Sequence, residues 1–315
     1  MRKFFTLILT MVAALTVHAQ ELKPLTLEDL NFGGTNYHNM VPKTRYTTWW
    51  GDELVHLDTE ECFLVNKSTG KESQLFTLSE LNQWSGMKLR HLYNLSFPEN
   101  GKSLVWLNDG NERMLFDWKH KKAIWKGNIS MAKGAQAQDF NSVSKALAYV
   151  KENQLHIIDA HGNDHQLTTD GSREIVYGQS VHRNEFGITG GLFWNHDGTR
   201  LAFYRMDQSM VSDYPQVDIP ELDWKPSNGQ SRMAKADPDK YPMAGETIHK
   251  VTVGVFDLAT NKITYLAAGD PTDRYFSNIS WAPDNKTLYM FELNRDQNDC
   301  RLMSYNTITG QPIAE

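Results

Sequence analysis

The sequence lacks the features that several large protein classes depend on. It has only two cysteines in 315 residues, which excludes a cysteine-rich zinc module and a dense disulfide scaffold. It has no run of lysine and arginine, and its formal net charge is −6, so it offers no positive face for the phosphates of a nucleic acid. With 40% hydrophobic and 22% charged residues, it is neither collagen-like nor extensively disordered. We therefore expect a globular protein that binds no nucleic acid.

Long apolar runs are also scarce, and the clearest one lies at the N terminus. Basic residues at positions 2 and 3 precede an apolar stretch over 4–17, and Val17 and Ala19 occupy the −3 and −1 positions before a cleavage site at Gln20. This stretch is shorter than the ~20 residues of a membrane-spanning helix. We predict that residues 1–19 are a secretory signal peptide. The mature chain is then exported to the periplasm or beyond, without a membrane span.

The candidate metal ligands and thiols do not form a convincing site. His156, His161 and His165 lie with two aspartates around a hairpin turn, where alternate residues point to opposite faces of a sheet. We therefore predict no metal and no cofactor. Cys62 and Cys300 are 238 positions apart, and although exported proteins permit disulfides, we expect two buried thiols rather than a bond.

One pattern recurs along the chain: an aromatic residue, a polar turn, and a leucine seven residues after the aromatic. The aromatic residues of the clearest copies are Phe97, Phe140, Trp194 and Trp281. Each leucine opens an alternation of apolar residues that is typical of a half-buried strand, and a second strand pair with its own turn follows. The copies are spaced by 43, 54 and 87 residues, and 87 is about twice 43. An earlier unit over 46–70 resembles a further copy.

A period in the forties with four strands per unit predicts the blades of a β-propeller, because each blade can bury its faces only against its neighbours. We predict an all-β fold for residues 20–315: an incomplete propeller of four-stranded blades, about five to six blades of a larger ring. A β-sandwich also suits frequent turns, but the regular return of the two-hairpin unit favours the propeller.

Two segments break this period. Residues 172–191 lie between hairpins, where a blade needs only a short loop, and they are rich in polar and charged residues. Residues 206–249 are longer and contain five prolines, which argues against a run of strands. Long ordered insertions on a rigid scaffold often carry function.

Several of these segments resemble one family in their order along the chain. Val-His-Arg-Asn-Glu-Phe at 181–186, the Tyr-Pro-Met-Ala-Gly motif at 241–245, and segments 193–204, 273–276 and 294–298 are similar to the N-terminal propeller of the dipeptidyl peptidase IV family. The resemblance covers roughly residues 40–311. The family comprises exported, prolyl-specific serine exopeptidases of the prolyl oligopeptidase clan.

The resemblance implies a propeller followed by a C-terminal α/β-hydrolase domain with a Ser, Asp, His triad. The nucleophile of such a domain needs a Gly-x-Ser-x-Gly elbow. The 315 residues contain no such elbow and no alternation of strands and helices. We therefore expect no catalytic residue in this chain, no hydrolase domain, and no peptidase activity from the chain alone.

The resemblance also implies a substrate-binding site in the first insertion. In the family, two glutamates bind the substrate's ammonium group by charge-assisted hydrogen bonds and set a two-residue ruler. Glu185 matches the second glutamate, Asn184 stands where the first would be, and we expect both, with Arg183, to bind substrate. Either one glutamate suffices, or Glu174 or Glu246 completes the site. The alternative is that Glu185 is a solvated carboxylate paired with Arg183.

Neighbouring residues have weaker signals. His182 could orient the carboxylate or face water, and the neighbourhood of Arg295 is placed near the site by the resemblance, with a structural salt bridge as the alternative. Tyr241 and Phe186 could form an apolar wall or simply pack in the core.

The implied function of the complete protein is the release of Xaa-Pro dipeptides from peptides that have a free amino terminus and a penultimate proline. The propeller would gate access and bind the ammonium group, and the full-length protein could form a homodimer. Two alternatives remain open. One is a relative that releases tripeptides, and the other is a non-catalytic periplasmic propeller that binds or scaffolds a partner.

Overall fold

The repeated units of the sequence form five antiparallel sheets that follow one another along the chain. The computed structural model describes residues 24–41, 45–98, 103–219 and 233–315. The signal peptide predicted for residues 1–19 lies outside the described residues. None of the helices in the described part is both long and apolar enough to cross a membrane.

The first three sheets each come from one continuous segment. Sheet 1 contains β1 (Tyr46–Trp50), β2 (Glu53–Leu57), β3 (Glu61–Val65) and β4 (Glu72–Thr77). Sheet 2 contains β5 (Leu104–Asn108), β6 (Glu112–Asp117) and β7 (Lys122–Asn128). Sheet 3 contains β8 (Ala137–Asn141), β9 (Ala146–Lys151), β10 (Gln154–Ile158) and β11 (Asp164–Gln166). In sheet 2, a bridge between Ser96 and Trp106 takes the place of a fourth strand.

The last two sheets have longer central strands. Sheet 4 contains β12 (Ile175–Tyr177), β13 (Leu192–Trp194), β14 (Arg200–Asp207), β19 (Lys250–Asp257) and β20 (Lys262–Tyr265). Sheet 5 contains β21 (Arg274–Trp281), β22 (Thr287–Asn294), β23 (Cys300–Asn306) and β24 (Pro312–Ala314). The helical elements are α1 (Leu27–Leu30), α2 (Thr35–Met40), α3 (Leu78–Ser85) and two single turns, Ser130–Ala132 and His182–Asn184.

The second insertion forms an arm, residues 208–249, between β14 and β19. Its described parts contain two short ribbons. One pairs β15 (Asp213–Tyr214) with β18 (Asp239–Lys240), and the other pairs β16 (Val217–Asp218) with β17 (Lys235–Ala236). The prolines therefore separate short strands in this segment instead of allowing a longer one.

Turn chemistry explains where the hairpins reverse. In the second hairpin of three units, an Asn or Asp side chain accepts hydrogen bonds from the backbone amides two and three residues further on, at Asn66, Asp257 and Asn306. This is an Asx turn, which reverses the chain at low cost. The polar turn residues of the repeat are therefore what separates its strands.

The hydrophobic cores lie between consecutive sheets. Sheet 4 shows this best, because both of its faces are buried. Leu201 and Phe203 of β14 belong to the core shared with sheet 3, and Ala202 and Tyr204 belong to the core shared with sheet 5. Successive strand residues point to opposite faces, so sheet 4 packs on the sheet before it and on the sheet after it. This stacking confirms the propeller of four-stranded blades, with five blades described, and differs from the two facing sheets of a sandwich.

The tryptophans of the repeat also connect neighbouring blades by hydrogen bonds. Trp194 Nε1 donates to the Asp139 carbonyl oxygen in sheet 3, at 3.1 Å. Trp281 Nε1 donates to the Phe193 carbonyl oxygen in sheet 4, at 2.9 Å. In both cases the acceptor precedes the aromatic residue of the previous unit. Each of these tryptophans thus packs in the core between its own blade and the blade before it, and bonds to the equivalent point of that earlier blade.

The prediction for the cysteines is half correct. Cys62 is buried between sheets 1 and 2, where burial raises the pKa of its thiol to about 12. Cys300 is exposed, which the sequence prediction had wrong, and both thiols are free. Cys300 is the first residue of β23 and lies opposite Leu293. This end of the strand does not show the alternation of buried and exposed residues.

The two interblade indole bonds can be tested by removing the donor. Trp281→Phe and Trp194→Phe keep an aromatic ring but lose the N–H group, and we expect each to lower the free energy of unfolding by about 1–2 kcal/mol. Urea unfolding followed by circular dichroism measures this. Trp49 is 61% exposed, so Trp49→Phe is the matched control and should change stability by less than about 0.5 kcal/mol. Equal effects at all three positions would contradict the role of the interblade bonds.

Candidate functional site

The first insertion interrupts a strand of sheet 4. β12 pairs with residues 205–207 of β14, and β13 pairs with residues 201–203, so the two short strands share one position beside β14. The chain leaves the sheet between them, which corrects the expectation that the insertion connects two hairpins. At its neck, a side chain on Gly191 would lie 2.1 Å from the Gln179 carbonyl oxygen. Glycine is therefore required there because the leaving and returning chains meet.

The residues at the end of this insertion adopt an unusual backbone conformation. His182, Arg183 and Asn184 have φ angles of 50°, 60° and 61°, Glu185 is extended, and Phe186 returns to a φ of 56°. None of them is glycine, so each left-handed residue costs on the order of 1 kcal/mol or more. We call residues 182–186 the ligand turn. Such a conformation persists only where the surrounding structure holds it.

The ends of the ligand turn are held by the core and by backbone hydrogen bonds. Val181 and Ile188 flank the turn, and both are buried in the core between sheets 4 and 5. The Asn184 amide donates to the Val181 carbonyl oxygen at 3.1 Å, and the Ile188 amide donates to the Glu185 carbonyl oxygen at 3.0 Å. The Glu185 amide also donates to the His182 carbonyl oxygen at 3.1 Å, so local backbone hydrogen bonds support the turn.

His182 points into the protein. It is 5% exposed, its Nε2 accepts a hydrogen bond from the Phe276 amide of β21 at 3.1 Å, and its ring meets the Tyr275 ring edge-on at 5.1 Å. Burial, together with the nearby His249, lowers the pKa of His182 to about 3. The imidazole is therefore neutral at neutral pH and remains an acceptor.

Arg183 turns towards the arm. Its Nη1 lies 2.6 Å from Asp239 Oδ2 in β18, and its guanidinium lies 4.7 Å from the centre of the Tyr241 ring. Sequence reasoning missed Asp239 because it is 56 residues away and belongs to a short strand of the arm. The ion pair answers one question left open by the sequence: Arg183 is paired with Asp239, and not with Glu185.

Glu185 points into a cavity of about 390 Å³ between the ligand turn, the arm and sheet 5. The cavity wall includes Tyr241 and Met243 of the arm and Tyr275 and Arg295 of sheet 5 and its following turn. Within the described residues, the Glu185 carboxylate makes no hydrogen bond or ion pair, and the side chain is exposed. An unpaired carboxylate therefore faces a cavity with an aromatic wall.

The other side chains predicted near the site are distributed as follows. Arg295 lines the Glu185 cavity and donates from Nη2 to the Glu246 carbonyl oxygen. Tyr241 lines it too, whereas Phe186 packs behind it on Tyr275, with ring centres 5.0 Å apart. Tyr275 was not singled out from the sequence, although it lies in one of the segments that carry the family resemblance.

Asn184 does not share this cavity. It lines two others, of about 580 and 460 Å³, together with residues such as Gln179 and Ser180. Neither of the two acids considered as replacements lines the Glu185 cavity. Glu174 lies 3.4 Å from Lys240 and 3.6 Å from Arg173, and Glu246 Oε2 accepts a hydrogen bond from a serine hydroxyl. Among the described residues, Glu185 is therefore the one glutamate that lines this cavity.

The histidines of sheet 3 form two separate pairs. His156 lies 3.3 Å from Asp164, and His165 lies 3.3 Å from Asp159. In the part of the chain that the structure describes, no group of three potential metal ligands lies together.

The burial of His182 predicts a pH dependence of stability. In the unfolded chain this histidine binds a proton near its ordinary pKa of 6.5, but in the folded chain only near 3. Stability is therefore lost as the pH falls below 6.5, and by pH 4.5 the loss due to this group is about 2 kcal/mol. Denaturant unfolding at pH 7 and 4.5 should show a smaller acid loss for His182→Phe than for the wild type. His161→Phe, at an exposed position, should leave the loss unchanged, and equal losses in all three proteins would contradict the assignment.

Solved structures of other proteins share the fold of this chain. A Bacteroides ovatus protein assigned as a dipeptidyl aminopeptidase IV is 38% identical, with a TM-score of 0.74, over 92% of this chain and 39% of the other. Dipeptidyl peptidase 4 of Porphyromonas gingivalis shares the fold, with a TM-score of 0.67 at 19% identity, over 93% of this chain and 42% of the other.

Curated relatives of similar sequence also have dipeptidyl-aminopeptidase names. Proteins assigned as dipeptidyl-aminopeptidase B are 24% identical in Pyrenophora teres and 29% identical in Coccidioides posadasii, over 92% and 78% of this chain. The chain covers 35% and 26% of the length of these two relatives. The family model for the dipeptidyl peptidase IV N-terminal region matches residues 102–313, which is most of the chain. The chain therefore belongs to the dipeptidyl peptidase IV family, as its N-terminal region.

Proposed function

We propose that this chain is the N-terminal propeller of an exported serine exopeptidase that removes Xaa-Pro dipeptides from peptide amino termini. The observation that carries the proposal is the carboxylate of Glu185, which faces a cavity and has no partner among the described residues. Family membership supplies the reaction class. The relatives are about three times as long as the part this chain covers, so the whole activity is a proposal.

In this proposal the chain's own residues bind and position the substrate. Glu185 accepts charge-assisted hydrogen bonds from the terminal ammonium group, which are roughly twice as strong as neutral ones. Arg295 uses one nitrogen for the Glu246 carbonyl oxygen, and its remaining N–H groups can donate to peptide carbonyl oxygens in the cavity. Tyr241 and Tyr275 offer aromatic surface to the first side chain of the peptide.

Because the ammonium group is bound at a fixed point, the enzyme would cleave at a fixed number of residues from the amino terminus. A serine nucleophile, a histidine base and an oxyanion hole would perform the acyl transfer to water. The sequence of this chain contains no nucleophile elbow, so those groups belong to a further part of the protein in this proposal. The chain alone should then bind peptides without cleaving them. Export of the protein and a homodimer of its full-length form remain predictions.

The role of Glu185 is tested by removing its charge. In the complete protein, Glu185→Gln should lower kcat/KM for Xaa-Pro substrates with a free amine by at least about tenfold, because a charge-assisted bond is lost. Reaction of the nucleophile with a small active-site-directed inhibitor should stay unchanged. Glu152 is also exposed in a left-handed turn, and Glu152→Gln is the matched control. An unchanged kcat/KM for Glu185→Gln would refute the assignment.

The number of residues released in each cleavage is a separate prediction. With the ammonium held at Glu185, the complete protein should cleave Xaa-Pro reporters and leave Xaa-Xaa-Pro reporters with the same leaving group intact. Blocking the amine of the Xaa-Pro reporter should abolish cleavage. A preference for the longer reporter would identify a tripeptide-releasing enzyme, and failure to cleave either would favour a non-catalytic binding module.

A further inference from the structure

We propose that His182 is a positioning residue: the hydrogen bond between its Nε2 and the Phe276 amide fixes the ligand turn against sheet 5 and thereby directs the Glu185 carboxylate into its cavity. The inference rests on the proposed function, since it assumes that Glu185 binds the substrate. It assigns to His182 no contact with the substrate.

The ligand turn needs such an attachment. Its left-handed residues would be more stable in ordinary conformations, and their relaxation would move the side chain of Glu185. Among the side chains of the turn, His182 and Arg183 are the two that bond to other segments. The Arg183–Asp239 pair is about 40% exposed on both sides, and exposed ion pairs contribute little stability. The buried bond of His182 is therefore the stronger attachment.

His182 Nε2 also accepts a hydrogen bond from the Phe276 backbone amide, which would otherwise have no partner. β21 is the edge strand of sheet 5, and its Phe276 is paired with Glu292 of β22 on one side only. The outward amide of Phe276 is buried, and a buried amide without an acceptor is costly. The imidazole supplies that acceptor from a residue 94 positions earlier in the sequence.

The same bond joins two segments that form walls of the cavity. On one side, His182 lies three residues before Glu185. On the other, Phe276 directly follows Tyr275, whose ring lines the cavity and also meets the His182 ring edge-on. The bond thus links the turn that carries Glu185 to the strand that carries Tyr275, and the packing of Phe186 on Tyr275 is a second contact between the same segments. Loss of the acceptor should change the position of Glu185 more than it changes the rest of the blade.

A double-mutant cycle in the complete protein tests the proposal. The four proteins are the wild type, His182→Phe, Glu185→Gln and the double variant, and the readout is kcat and KM for an Xaa-Pro reporter with a free amine. His182→Phe keeps a ring against Tyr275 but has no acceptor. We expect it to lower kcat/KM about tenfold, mainly through KM. In the Glu185→Gln background the same substitution should have less than about a twofold effect, because there is no carboxylate left to position.

The outcomes separate the inference from the function on which it rests. If His182→Phe causes the same loss in both backgrounds, its role is only structural and the inference is overturned. If Glu185→Gln has no effect by itself, the proposed function fails, and the positioning role fails with it. Urea unfolding of each variant shows that the compared proteins are folded.

A conservative variant covers the case in which His182→Phe does not fold. His182→Gln retains an acceptor in its side-chain oxygen, and we expect kcat/KM within about threefold of the wild type. Amide hydrogen exchange at Phe276 should remain slow in this variant. A tenfold loss of kcat/KM in His182→Gln, with the Phe276 amide still protected, would show that the acceptor does not position Glu185.

Discussion

The packing of neighbouring sheets on one another is the constraint on which the rest of the structure depends. A sheet with two apolar faces is stable only when both are covered. β14 meets this condition by directing Leu201 and Phe203 to one neighbour and Ala202 and Tyr204 to the other. The indole of Trp281 adds a directional bond to the Phe193 carbonyl oxygen. Packing area supplies most of the stability, and the indole bonds fix how one blade is placed relative to the next.

The candidate site is a consequence of this stacking. The ligand turn leaves sheet 4, and the strand that receives His182 is the edge strand of sheet 5, so the two meet only because the sheets are neighbours. The arm completes the cavity from a third direction with Tyr241 and Met243. Glu185, Tyr241 and Met243 therefore lie on interruptions of the repeat, whereas Tyr275 and Arg295 belong to the repeat itself, which also supplies the rigid support.

The blades could be predicted from the sequence because their signals are local. The aromatic residue, the polar turn and the following leucine lie within eight residues, and the Asx turns at Asn66 and Asn306 use neighbours two and three positions away. The contacts of the site are not local. Asp239 meets Arg183 across 56 residues, and no pattern around either residue indicates the other. The separation of Asn184 from the Glu185 cavity follows from the left-handed backbone, whose φ angles cannot be read from non-glycine residues.

The electrostatics of the cavity follow from how its cations are used. A carboxylate paired with a neighbouring guanidinium would have to lose that partner before it could bind an ammonium group. Arg183 is the cationic residue nearest to Glu185 in the sequence. It forms an ion pair with Asp239, and its guanidinium lies against the Tyr241 ring. Arg295 is directed to the Glu246 carbonyl oxygen. Both guanidinium groups are therefore positioned by other acceptors, and this leaves the charge of Glu185 available to the cavity. Under the proposed function, Glu185 binds the ammonium group without first losing an arginine partner, which offsets part of the charge that Asn184 does not supply.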